Sequence, residues 1–186
     1  LATLTGHEAE VTALAFAPGG KLLATGDDRG DCRLWRFDPA ANEWQGGEWL
    51  RGHSRTITAM TFADNGARLI TSSGDNTCGQ WDVVAGKEIR AGVLKHPEWV
   101  TDIVVSDDGR TALTSCDDGK LRLWSLADAK LLRTMESPPT EAPATAAASG
   151  EAAKTETAFT SIDMSSDGQL ALTACAADGT VRLWNL

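Results

Sequence analysis

A glycine followed at a fixed distance by a tryptophan recurs four times in this chain, and no other feature constrains its fold as much. Gly20 precedes Trp35 by fifteen residues, as Gly66 does Trp81 and Gly109 does Trp124, while Gly168 precedes Trp184 by sixteen. Repetition at a fixed period means that one supersecondary unit has been copied. Such units bury their apolar faces only against one another.

Each copy opens with an apolar, partly β-branched run, at residues 11–16, 57–62, 100–105 and 159–164. A Gly-containing turn follows, then a second run, a second polar turn and a third run that ends on the tryptophan. Alternation within the runs and Gly, Asp and Asn between them predict antiparallel strands joined by tight turns. A fourth strand is expected between copies, at 49–50, 88–94 and 130–135, and residues 1–5 read as the same outer strand carried over from a preceding copy. No helical period appears, so the chain is expected to be all-β, with about four units of four strands each.

Composition narrows the function. The net charge of −9 over 186 residues argues against a nucleic-acid surface, which needs clustered Lys and Arg to displace counterions, and against anionic membranes. No apolar run is long enough to span a bilayer, and no signal peptide is visible. The chain opens on Leu1 rather than Met, which reads as a piece of a longer protein. Cys32, Cys78, Cys116 and Cys175 fall one per copy with no CxxC pair, so small buried thiols in a reduced, cytoplasmic setting are expected rather than a metal site.

Gly6-His7 and Gly52-His53 precede the first two copies, and Lys95-His96 stands in the same place before the third. Each histidine lies four residues before the first residue of the following apolar run, Val11, Ile57 or Val100. With these pairs in place the chain resembles the WD-repeat family, whose repeats run from Gly-His to Trp-Asp over about 40–45 residues and form the four-stranded blades of a β-propeller. The resemblance covers the whole chain as a single propeller segment, with repeats at roughly 5–50, 51–94, 95–136 and 158–186. It omits one insert at 137–157, which is rich in Pro, Ala, Ser, Thr and Glu and reads as a flexible loop opening on the upper face. A tolerated insertion is the plainer account of it, and a docking loop the alternative. Four blades are few for the family. An arc of a larger ring is favoured over half of a two-chain ring or a closed four-bladed one, so other blades, from the parent chain or a second copy, are expected partners.

The resemblance also implies a buried hydrogen-bonded set in each blade: His53, Thr71, Asp75 and Trp81 in the second, and His96, Thr114, Asp118 and Trp124 in the third. In the first blade Arg29 falls where the acid is expected, with Asp28 beside it as substitute. In the fourth, Thr155 takes the histidine position and one extra residue separates Thr173 from Asp178. These sets are not read as catalytic, because their hydroxyls sit inside strands and nucleophilic catalysis needs an exposed hydroxyl facing an oxyanion site. No cofactor is expected, since the chain has no Gly-rich phosphate loop.

By the same resemblance, Glu8, Glu10, Asp28, Arg55, Pro97, Trp99 and Asp117 should line the rim of the upper face, where family members hold partners. This set is acidic with one aromatic anchor, Trp99, weighed against a packing role for that ring. The expected function is a non-catalytic protein-interaction scaffold that binds a protein or peptide, with basic segments favoured. The alternative is a regulatory or sensory appendage of a larger bacterial signalling or redox protein, such as a kinase or NTPase. Trp44, on the expected long connection at 37–48 that projects from the opposite face, either caps its own hairpin or marks a contact surface.

Overall fold

A computed structural model describes residues 2–136, 159–176 and 178–186. The insert at 137–157 and Thr155 therefore lie outside the described residues.

The described residues form four antiparallel sheets, as the repeat predicts. The first runs β1 (Val11–Phe16), β2 (Leu22–Asp27), β3 (Cys32–Asp38) and β4 (Glu43–Leu50), paired in chain order. The second holds β5 (Ile57–Ala63), β6 (Arg68–Ser73) and β7 (Thr77–Asp82), with β8 (Lys87–Glu88) and β9 (Leu94–Lys95) sharing the outer edge of β7. The third consists of β10 (Val100–Val105), β11 (Thr111–Cys116), β12 (Lys120–Ser125) and β13 (Lys130–Glu136). In the fourth, β14 (Phe159–Met164), β15 (Leu170–Cys175) and β16 (Thr180–Asn185) are the strands among the described residues.

Three expectations are corrected. The outer strand at 88–94 is split into β8 and β9 by a 3-10 turn at Arg90–Gly92. The cause is Gln80, whose buried amide donates to the Gly92 carbonyl at 2.9 Å and to the Leu126 carbonyl at 3.2 Å. A Cβ at Gly92 would stand 2.6 Å from that amide nitrogen, so the chain detours around the glutamine. Residues 2–5 form no strand, because β4 already covers the outer edge of β3 and the sheets do not close into a ring that would bring β16 to them. The connection at 37–48 is mostly strand, with β3 and β4 extending it and Trp44 placed edge-on to Phe16 and tilted against Phe37, at ring separations of 5.9 and 5.5 Å.

The first strands lie side by side, β1 against β5, β5 against β10 and β10 against β14. Both faces of the inner sheets are therefore buried. Ala24, Leu34 and Leu50 meet Ile57, Leu69 and Trp81 at the first seam. Ile70 and Leu94 meet Val100, Ile103 and Trp124 at the second, and Leu113, Leu121 and Met135 meet Phe159 and Ile162 at the third. Each such Leu, Ile, Val, Phe or Met side chain contributes roughly 1.5–3 kcal/mol through burial. At the two ends the same positions face solvent: Leu14 and Phe16 on the first sheet are 71% and 60% exposed, and Val181 and Leu183 on the fourth 71% and 66%.

Every first strand carries a register shift after its first residue, between Val11 and Ala13, Ile57 and Ala59, Val100 and Asp102, and Phe159 and Ser161. The extra residue re-aims its side chain, as bulges do. Thr12 and Thr58 use it to donate across the seam to the carbonyls of Ile57 and Val100, each at 2.7 Å. At the third seam Asp102 takes over and accepts from the Ile162 N–H at 2.9 Å. The four cysteines are reduced and buried, one per sheet, and burial pushes the thiols of Cys32 and Cys78 up.

Candidate interaction face

The second blade brings its four expected polar residues together. Trp81 Nε1 donates to Thr71 Oγ1 at 2.8 Å, His53 Nε2 lies 2.8 Å from the same hydroxyl, and His53 Nδ1 lies 2.9 Å from Asp75. The chain of donors runs one way: indole N–H to hydroxyl, hydroxyl to Nε2, and Nδ1–H to carboxylate. Burial alone would raise the Asp75 carboxyl, but hydrogen bonds from His53, Thr77 and the Ser54 N–H overcome it and hold the group well below the usual carboxylate range.

The third blade differs. Trp124 and His96 both reach Thr114, at 2.9 and 2.8 Å. Asp118, expected on His96, instead takes a two-pronged contact from Arg122, and His96 Nδ1 is buried without a hydrogen-bond partner. Register explains the exchange, since Arg122 pairs with Thr114 at the position where the second blade has Gly79 opposite Thr71. A planar guanidinium two strand positions inside the turn outcompetes the imidazole for the acid. Burial and the nearby Arg122 charge push His96 down to about 4.

In the first blade the acid is Asp27, neither Arg29 nor Asp28. Its Oδ2 lies 2.7 Å from His7 Nδ1, and its Oδ1 accepts the Arg29 and Asp31 N–H groups at 3.0 Å each. Arg33, opposite Thr25, is kept off this carboxylate by stacking on Trp35 at 4.4 Å and Trp49 at 5.0 Å. In the fourth blade Trp184 reaches Thr173 at 3.0 Å, and Asp178 pairs with Arg182 as Asp118 does with Arg122.

These sets hold the turns that form one end of the sheets. There the Asp28 N–H donates to the Glu10 carbonyl at 2.9 Å, Gly74 to Thr56 at 3.0 Å and Asp117 to Trp99 at 2.9 Å. Glu10, Thr56 and Trp99 are thus equivalent positions, as are Asp28, Gly74 and Asp117. At the first two seams the first residue type reaches back over the preceding blade. Thr56 donates its hydroxyl to Asp28, and Trp99 lays its ring against Gly74, where a Cβ would stand 3.2 Å from the indole. Trp99 both packs across the seam and remains 41% exposed. Glu8 and Arg29 form an exposed ion pair at 3.3 Å on the same end. Pro97 is exposed, and its carbonyl accepts from Asn76 at 3.1 Å.

Arg55 extends over the Trp99 ring at 5.7 Å, and a recess of about 270 Å³ opens beside them, lined by Ser54, Gly74, Asp75, Asn76 and Glu98. Sequence reasoning missed Thr56, Gly74 and Glu98. Counting three residues on from each histidine would have found Thr56 beside Glu10 and Trp99.

Stacked antiparallel sheets of three to five strands among the described residues, their first strands side by side and each pinned by a tryptophan–threonine bond, define a repeat protein of the β-propeller kind. The family described as WD domain, G-beta repeat, matches at residues 1–36, 47–82, 89–125 and 152–185, and the chain belongs to the WD-repeat family. No curated protein matches the chain. Repeats of this family generally serve as protein-interaction scaffolds and are typically non-catalytic.

Proposed function

We propose that this chain is a non-catalytic scaffold that holds a basic protein or peptide segment on the end carrying Glu8, Glu10, Asp28, Arg55, Pro97, Trp99 and Asp117. The supporting observation is the composition of that end. Glu8, Glu10, Asp28, Glu98 and Asp117 share that end with the exposed Trp99 indole, which Glu98 neighbours in the recess, against the two guanidiniums of Arg29 and Arg55, one of them paired to Glu8. An aromatic platform within a negative field suits a cationic segment: charge complementarity speeds encounter and the indole supplies an anchor.

The test is fluorescence anisotropy with a labelled Arg- and Lys-rich peptide and an acidic peptide of equal length. The basic peptide is expected to bind and to weaken with added salt, and the Glu8→Lys/Glu10→Lys double variant is expected to weaken it further. Equal binding of both peptides, or indifference to the charge reversal, ends this reading.

A further inference from the structure

We propose that the recess at the seam between the second and third blades is a guanidinium pocket. An arginine side chain of the partner lies on the Trp99 indole in the place that Arg55 now holds, with its donors on the Glu98 carboxylate. The proposal rests on the reading that this end takes a basic partner, and it names the side chain that reads it.

Three observations carry it. First, Trp99 is a fixed platform. One ring face is backed by Gly74, the one residue among the equivalent positions Asp28, Gly74 and Asp117 that lacks a side chain, and the Trp99 carbonyl is tied to the Asp117 N–H at 2.9 Å. A platform that does not move loses little freedom on binding.

Second, Arg55 already shows what the platform accepts, and it is held loosely. Its guanidinium stands 5.7 Å from the ring centroid, at the outer limit of a cation–π contact, whereas Arg33 sits 4.4 Å from Trp35. Among the described residues the Arg55 side chain makes no ion pair and no hydrogen bond, and it is exposed. It is an internal stand-in that an incoming cation can displace.

Third, the recess is lined by a residue with an uncommitted carboxylate. Glu98 is exposed and has no ion-pair partner among the described residues, while Asp75 is occupied by His53, Ser54 and Thr77 and supplies negative potential without a vacant acceptor. About 270 Å³ admits one side chain rather than a drug-sized molecule. A planar guanidinium stacks on the indole and still presents paired donors to Glu98, which a lysine ammonium cannot do at once.

The experiment follows the Trp99 indole N–H signal, assigned by its loss in Trp99→Phe, during titration with Nα-acetyl-arginine amide and with Nα-acetyl-lysine amide. The arginine amide is expected to shift the signal, the lysine amide to shift it less, and Arg55→Ala to tighten the arginine amide by about three- to fivefold. Gly74→Asp, which puts a side chain where the ring lies, is expected to abolish the shift, with a melting curve checking the fold. No shift in either wild type or Arg55→Ala, or a weaker shift in Arg55→Ala, overturns the pocket. If the basic peptide binds and responds to Glu8→Lys/Glu10→Lys but the arginine amide leaves Trp99 unmoved, the pocket falls and the acidic-face reading stands. If the amide shifts Trp99 but no basic peptide binds, the face reading falls instead.

Discussion

The residue opposite the strand threonine, and what holds its side chain, decide how a blade arranges its buried polar groups. Opposite the strand threonine stand Arg33, Gly79, Arg122 and Arg182. Where that residue is glycine, or an arginine held on tryptophans as Arg33 is, histidine keeps the acid; where arginine reaches the turn, it takes the carboxylate. Arg122→Ala is therefore expected to turn Asp118 toward His96 and to raise the imidazole from about 4, read as a shifted His96 ring-proton titration. The present state has a consequence for stability. The unfolded chain binds a proton on His96 near its ordinary value of 6.5, whereas the folded chain does so only near 4. Between these values the unfolded state holds more protons, so the stability tied to neutral His96 is complete above about pH 6.5 and is lost as pH falls toward 4. Urea unfolding at both ends of that window should show wild type losing roughly 2–3 kcal/mol more than His96→Gln.

The strands follow from apolar alternation and turn chemistry, which is why β1, β10 and β14 have the boundaries that the sequence predicts. What it conceals are effects carried by one side chain across space. The split between β8 and β9 depends on Gln80 reaching Gly92 and Leu126, and the Asp27 substitution depends on a strand end that accepts two turn N–H groups. The positions of Glu10, Trp99 and Asp117, proposed here for the rim, follow from counting from histidine and turn, and the same count reaches Gly74; what counting does not give is the ring laid over Gly74 or the recess beside Glu98. The bulged threonines are a further spatial effect. Thr58→Val keeps the shape but leaves the Val100 carbonyl without its donor at 2.7 Å. It is expected to cost about 1 kcal/mol in denaturant unfolding, and an unchanged midpoint would show that the seam does not need this bond.

Across the whole molecule, the first and last sheets present to solvent the positions that inner sheets bury. Leu14 corresponds to Met60, Ile103 and Ile162, all buried, and Leu183 to the buried Leu34 and Gln80. Exposed apolar side chains and, among the described residues, a sheet edge at β16 favour association. Light scattering should show concentration-dependent self-association that Leu14→Glu and Leu183→Glu each reduce, without lowering the midpoint of thermal unfolding. A strictly monomeric wild type would show that these ends are tolerated exposed.

One arrangement described above gives the protein a built-in record of its own opening. Because Cys32, Cys78, Cys116 and Cys175 are all sequestered and belong to different sheets, an alkylating reagent can modify any of them only after the surrounding sheet has come apart. Mass spectrometry of timed alkylation would then resolve the order in which the repeats yield, each reporting through a single sulfur atom and with no residue introduced.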